Sequence, residues 1–362
     1  MPVAWLAEPH AFKTAFFRAV AEAAGGGTRL ATWPLSFRGF PESAARADDC
    51  LARAKKQPEG PLGTFLKRAF LRGRYNWARR WFAAHPGHVA LCWQGLTGTR
   101  RAVMLGARDA GAATLFAELS PLPGYLTLDP KGVNAEGSVP QDPRFYDDVA
   151  PDAALLAGLR DRIRPRASRR ADVGQGGAVP VDSGPFVFVP LQVPDDSQML
   201  LFSGWVGGAD GFIRALAAAA GALPDGWHLR LKEHPSSKIA LTAEIDAAIA
   251  AGARIVLDNA TDSFAQLSAS GGVLTVNSSM GLQAMFWDKP VIVTGQSLYA
   301  LPGVAHHAGD LTALKAALAD LPRFDGPLRA RFLTWLATAY YIPQGEDGPD
   351  RAALARRLAG LL

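Results

Sequence analysis

The sequence predicts an α/β protein built from two doubly wound domains, each a parallel sheet flanked by helices. Three observations carry this. Its 362 residues exceed what one hydrophobic core usually fills, which is roughly 250–300 residues. Short apolar runs alternate with longer Ala- and Leu-rich stretches whose apolar spacing is near 3.6 residues, the pattern of a parallel sheet covered on both faces. An Arg-rich stretch followed by Gly- and Pro-containing sequence divides the elements into two sets.

In the first set, runs at 3–6, 29–33, 89–93, 102–105 and 113–118 read as strands, and helical periodicity covers 12–24, 43–56 and 62–82. In the second, strands are expected at 186–193, 228–232, 254–257, 273–276 and 291–294. The helices there are expected at 208–223, 241–251, 263–270, 281–287 and 311–321. Between the sets, Arg160, Arg162, Arg164, Arg166, Arg169 and Arg170 face a single acid. Gln175-Gly176-Gly177 and the Pro-containing stretch 179–185 follow, marking a linker. Domains at 1–174 and 175–362 are expected, with the last helix packing back on the first. Such a pair leaves a cleft where ligands meet the C-terminal strand ends.

Apolar residues make up 49% and charged residues 20% of the chain, a globular balance. Cys50 and Cys92 form no CxxC, which excludes a disulfide framework and a thiolate zinc site. The start has no basic region leading into an apolar run, and no 18-residue apolar stretch exists, so a cytoplasmic protein is expected. The net charge of +5 is mild over this length, but its excess is local. Residues 61–82 carry Lys67, Arg68, Arg72, Arg74, Arg79 and Arg80 with no acid, interleaved with Phe65, Phe70, Trp77 and Trp81. This is either an ordinary surface helix packed on its own domain or a basic, aromatic surface for anionic head groups or an acidic saccharide. No nucleic-acid module accompanies it, so nucleic acid is not expected as a partner.

Four segments sit where chemistry belongs, just past predicted strands. Asn277-Ser278-Ser279-Met280-Gly281 opens a helix, a place where free amides attract a phosphate, although a serine there also serves as an ordinary cap. Lys232-Glu233-His234-Pro235 ends another strand, and Pro235 restricts His234 to an extended conformation. Gln192-Val193-Pro194-Asp195-Asp196 ends a third; either Asp caps a turn or a helix, or serves as a cleft carboxylate. Glu118 closes a first-domain strand before a long Pro- and Gly-rich loop that carries Asn134 and Ser138. Glu118 on one wall and Asp196 on the other would form a carboxylate pair suited to glycosyl transfer.

Taken in order, ELSPLPGYLTLDPKGVNAEGSVP, PLQVPDDSQ, KEHPSS and VNSSMGLQAMFWDKPVIVTG resemble the bacterial capsule-polysaccharide synthesis family, which includes retaining β-Kdo glycosyltransferases. The likeness runs discontinuously from about Trp93 to Gly303. It implies a GT-B-like pair of Rossmann-like domains with a CMP-Kdo donor on the second. It also implies an acceptor on the first, for which Asn134 and Ser138 are the candidates; under that reading the basic segments 61–82 and 160–170 suit an anionic saccharide or glycolipid acceptor at the inner membrane surface. By position, Asp196 matches the nucleophile, with Asp195 the fallback, and His234 matches the HP-motif histidine. Ser278 and Ser279 would face the CMP phosphate, and Glu118 matches the acid/base. Lys232, Gln192 and Asn277 fall on the donor side. So does Gln283, which departs from the pattern because many members carry Glu there.

The implied reaction is double displacement. Asp196 attacks the anomeric carbon and expels CMP, then Glu118 takes the acceptor's proton as its hydroxyl attacks the adduct, and two inversions give retention. With one phosphate on the leaving group and no DxD pair beside a strand, neither a metal nor another cofactor is expected. Two other readings are a nucleotide-sugar epimerase, which would convert the donor without an acceptor, and a non-catalytic polysaccharide-binding assembly component.

Overall fold

The computed structural model describes residues 1–165, 167–179 and 184–362. Arg166 of the arginine run and positions 180–183 of the Pro-containing stretch lie outside the described residues. The chain separates into two compact units. One is Met1–Ser120, Gly124–Val139 and Leu336–Leu362; the other is Pro121–Pro123 with Pro140–Trp335.

The first unit begins β1 (Val3–Leu6), α1 (Ala11–Ala23), β2 (Gly27–Leu30), α2 (Ser43–Ala52), α3 (Gly60–Ala84), β3 (Val89–Trp93), α4 (Gly98–Asp109), β4 (Thr114–Leu119) and β5 (Tyr125–Asp129). The second contains α5 (Ala153–Arg162), β6 (Phe186–Pro190), α6 (Ser197–Phe202), α7 (Ala209–Ala219), β7 (His228–Lys232), α8 (Thr242–Ala250) and β8 (Ile255–Leu257). It continues through α9 (Ser263–Ala269), β9 (Gly272–Thr275), α10 (Ser279–Ala284), β10 (Val291–Val293), β11 (His306–His307), α11 (Leu311–Ala319) and α12 (Gly326–Trp335). The chain then returns to the first unit through β12 (Tyr341–Gly345), β13 (Gly348–Pro349) and α13 (Arg351–Ala359).

The first sheet runs β13-β12-β5-β4-β3-β1-β2. It is parallel from β4 through β2, and β5, β12 and β13 add antiparallel strands at the other side. Phe16, Phe17, Leu91, Trp93, Leu115, Leu126 and Ile342 share its core with Leu354 and Leu358 of α13, so the last helix is part of the first unit. Two expectations fail here. Residues 102–105 are not a strand but the buried stretch of α4, because four consecutive apolar residues fit a buried helix face as well as a strand. The close packing of α4 on α3 explains that burial: a Cβ on Gly106 would lie 2.7 Å from the Tyr75 carbonyl oxygen. The stretch after Glu118, read as one long loop, contains β5, all five residues of which are buried.

The boundary expected at 174/175 falls instead at 139/140. Tyr146 packs its ring 5.4 Å from Phe332 and 5.6 Å from Trp335, and Asp152 N–H donates to Thr334 at 3.1 Å, tying the segment before α5 to α12. The arginine run also starts inside α5 rather than in open chain.

The second sheet is wholly parallel, in the order β11-β10-β9-β6-β7-β8. Val187, Val189, Leu229, Leu231, Leu274 and Ile292 pack against Phe212, Leu216 and Ile245 of the covering helices. The chain winds outward from β6 to β8, then returns to β6's other side with β9. The switch point of the sheet therefore lies between β6 and β9, where open α/β sheets bind ligands.

Candidate functional site

The carboxyl ends of β6, β7 and β9 adjoin one another in the second unit, and three of the four sequence-selected segments lie on them. The loops flanking the switch point are locked together. Gln192 Nε2 donates to Asn277 Oδ1 at 2.8 Å, and Gln192 Oε1 accepts from Asn277 N–H at 3.1 Å. Asn277 Nδ2 donates to the carbonyls of Gln198 at 3.3 Å and Phe202 at 3.1 Å, which fixes α6 to the end of β9. Both amides are thus committed to the scaffold, so Gln192 and Asn277 position the crevice instead of supplying free donor contacts.

Asp196 is the N-cap of α6. Its Oδ1 accepts from Gln198 N–H at 2.8 Å, and Oδ2 makes no hydrogen bond among the described residues. Asp196 is half-buried while Asp195 is exposed, so Asp196 is the more enclosed of the two. Ser278 caps α10 by accepting from Met280 N–H at 3.2 Å, and Ser279 opens that helix. The turn is held from beneath by Thr275 Oγ1, which accepts from Ser278 N–H at 3.2 Å, and by Tyr299, whose hydroxyl donates to the Ser278 carbonyl at 2.5 Å. Gly281 is required, because a Cβ there would collide with the Tyr299 hydroxyl oxygen.

At the end of β7 the two neighbours of the selected histidine are structural. Lys232 is 2% exposed and gives all three ammonium donors to backbone carbonyls, Gly174 at 2.8 Å, Asn259 at 2.9 Å and Thr261 at 2.7 Å. Burial pushes its pKa down. The expected contact from Lys232 to the donor phosphate is therefore corrected: Lys232 bolts the linker to β7. Glu233, also 2% exposed, accepts from Arg170 and Asn259, each at 2.9 Å, and from the Leu241 amide. Burial raises its pKa, but these donors outweigh burial and hold the carboxyl below its usual range. His234 is half-buried, and its Nδ1 accepts from Ser236 N–H at 3.1 Å, so the neutral ring carries its proton on Nε2.

Gln283 is buried and donates to the Pro121 carbonyl at 3.0 Å, so its amide holds the short 121–123 segment. In the first unit, Glu118 ends β4 opposite Thr127, half-buried, with Oε1 accepting from the next amide, Leu119, at 2.9 Å. Ser138 is not available to an acceptor as expected: its N–H and hydroxyl both donate to Oδ2 of the fully buried Asp129, at 2.7 and 2.6 Å. Asn134 lies nearby at φ 53°, half-buried at the start of a 3-10 turn.

Sequence reading passed over one strand end. After β3, Gln94 and Gly95 both adopt left-handed backbone, φ 62° and 72°. Gln94 Oε1 accepts from Leu96 N–H at 3.1 Å and Thr97 Oγ1 at 3.2 Å, which leaves the first turn of α4 without a side-chain cap. The glycines in Gln94-Gly95-Leu96-Thr97-Gly98 were the available signal.

Known proteins share both the sequence of this unit and the fold. Residues 178–330, which include every strand-end segment of the second unit, match the family "Capsule polysaccharide biosynthesis protein". Over 259 residues the chain is 33% identical to Protein FixF of Sinorhizobium fredii (strain NBRC 101917 / NGR234), an alignment spanning 70% of this chain and 60% of FixF. Two solved structures have the same architecture. Thermosulfurimonas dismutans KpsC, beta Kdo 2,7 transferase, has a TM-score of 0.55 at 12% identity, covering 100% of this chain and 99% of that one. The beta Kdo 2,4 transferase of the same KpsC has a TM-score of 0.53 at 14% identity, covering 98% of each chain. The chain has a GT-B-like architecture of two Rossmann-like units. Its likeness to the capsule polysaccharide biosynthesis protein family lies in residues 178–330, and the chain spans 60% of the length of FixF.

Proposed function

We propose that the protein is a retaining glycosyltransferase that moves Kdo from CMP-Kdo to a saccharide or glycolipid acceptor during surface-polysaccharide synthesis. One observation carries the reading: within the family-matched unit, Asp196, His234 and the Ser278–Ser279 turn stand on adjacent carboxyl ends of β6, β7 and β9 at the switch point. Protein names point the same way, since two solved structures with TM-scores above 0.5 are named as Kdo transferases.

In this scheme Oδ2 of Asp196 attacks the anomeric carbon, forming a glycosyl ester as the bond to the CMP phosphate oxygen breaks. The cap bond from Gln198 N–H fixes the carboxylate's orientation through Oδ1. The leaving phosphate meets the amides and hydroxyls of Ser278 and Ser279, with His234 Nε2–H as a further donor. Glu118 is the second carboxylate of the scheme, taking the proton from the acceptor hydroxyl as it attacks the ester and frees Asp196. Because the leaving group carries one phosphate, the scheme uses no metal, and a chelator is expected to leave the rate unchanged.

Calorimetric titration with CMP, UDP and GDP tests the donor. Tight binding of CMP alone is expected; preference for UDP would overturn the CMP-Kdo assignment. Product analysis with donor alone separates the epimerase reading, because a transferase gives at most slow hydrolysis without acceptor.

A further inference from the structure

The five most exposed large apolar side chains among the described residues are Phe37 (88%), Trp33 (71%), Leu62 (70%), Phe65 (65%) and Leu66 (58%); the last three lie in the first turns of α3, and Trp33 and Phe37 on the segment packed beside the middle of that helix. Along that helix Leu62, Phe65, Leu66, Ala69, Phe70 and Gly73 recur at the spacing of a single face. At its far end the face is covered by Leu35, which lies 3.2 Å from the position of a Gly73 Cβ. The 33–37 segment is a fixed part of this surface. Ser36 N–H donates to Gly73 at 3.0 Å, Asn76 donates to the Ser36 carbonyl at 3.1 Å, and the Trp33 ring sits 6.0 Å from Phe70. Meanwhile Leu71, Tyr75, Ala78 and Phe82 anchor the second half of α3 in the fold.

The charge around the ridge is mainly basic, with the exposed Glu59 at the N-cap of α3 as an acid among the cations. Arg68 pairs with Asp48, Arg79 pairs with Glu42, and Arg74 is fully buried. Arg38, Lys56, Lys67, Arg72 and Arg80 make no ion pair among the described residues; Lys67 and Arg80 donate only to backbone carbonyls.

We propose that this end of α3, with the 33–37 segment, seats on the surface of an anionic phospholipid bilayer. Leu62, Phe65, Leu66, Trp33 and Phe37 enter the boundary between head groups and acyl chains, and the unpaired cations meet lipid phosphates. A second copy of the chain fits less well, because a twofold contact on this face would bring the same cations together. Apolar insertion combined with a basic set supplies the two signals that stable peripheral attachment needs. The inference concerns the first unit alone and is independent of the proposed transfer chemistry.

The test is co-sedimentation of the full chain with vesicles of phosphatidylcholine, alone or mixed with phosphatidylserine. The wild type should pellet with the mixed vesicles, weaken with added salt, and stay largely in solution with the neutral ones. The triple variant Leu62→Ser, Phe65→Ser, Leu66→Ser should bind at least about tenfold more weakly, with an unchanged melting temperature. The charge variant Lys67→Glu, Arg72→Glu, which leaves the apolar ridge intact, should also lose binding. Equal binding by the variants, or no binding by the wild type, overturns the proposal. So does a wild-type dimer that the triple variant dissociates without any vesicle binding; the face would then join copies of the chain.

Discussion

Asp196 shows how one carboxylate holds two positions at once. Its Oδ1 caps α6, while in the proposed scheme Oδ2 attacks the sugar, so substitutions separate the roles. Asp196→Asn keeps a capping oxygen and should melt within about 0.5 kcal/mol of wild type while abolishing transfer; Asp196→Ala should also lose about 1 kcal/mol of stability. Lys232 makes the opposite case. With three carbonyls depending on its ammonium, Lys232→Met should destabilise the protein by about 2–4 kcal/mol, measured by denaturant unfolding. A phosphate-binding lysine would instead weaken CMP binding in a normally stable protein. The sequence put Lys232 at the right strand end, but its burial depends on Gly174 and the 259–261 loop, and no local pattern reveals that long-range closure.

At the scale of elements, β1, β3, β6 and β7 were legible as short buried apolar runs. The misread residues 102–105, followed by Gly106, looked like such a run, and β5 was hidden because its Pro- and Gly-rich surroundings looked like a loop. The position of the polar segments at strand ends was legible for the same reason that the strands were. The division of labour among those polar residues was not, since Gln192 finds Asn277 85 positions away. The β9–α10 turn carries its own prediction. Gly281→Ala would press a methyl group against the Tyr299 hydroxyl and should cost about 1–3 kcal/mol. CMP affinity should fall with it because Tyr299 holds the Ser278 carbonyl; calorimetry on the folded variant checks this.

At the scale of the whole molecule, the arginine-rich stretch that looked like a plain linker is partly structural. Arg170 pairs with Glu233, and the Gly174 carbonyl accepts from Lys232. Asp258 is held by Arg230 at 2.6 Å and by the Thr261 amide at 2.9 Å. Burial raises the Asp258 pKa, but these donors outweigh it, and the net shift is downward, as for Glu233. A carboxylate whose folded pKa is depressed stabilises above its unfolded value, near roughly 4, and that stability is lost as pH falls through the folded pKa. The melting temperature should therefore hold between about pH 7 and 5 and drop below about pH 4. Glu233→Gln should flatten that acid limb in a pH series of thermal melts.

No described helix is long and apolar enough to cross a membrane. The proposed function stands on sugar transfer through Asp196. The most direct measurement mixes CMP-Kdo and a saccharide acceptor with wild type and with Asp196→Asn, following the transferred Kdo and the intact mass of the protein. Transfer by wild type, a trappable adduct of one Kdo residue, and neither in a folded Asp196→Asn variant are the predicted results. Transfer by Asp196→Asn at the wild-type rate would contradict that chemistry.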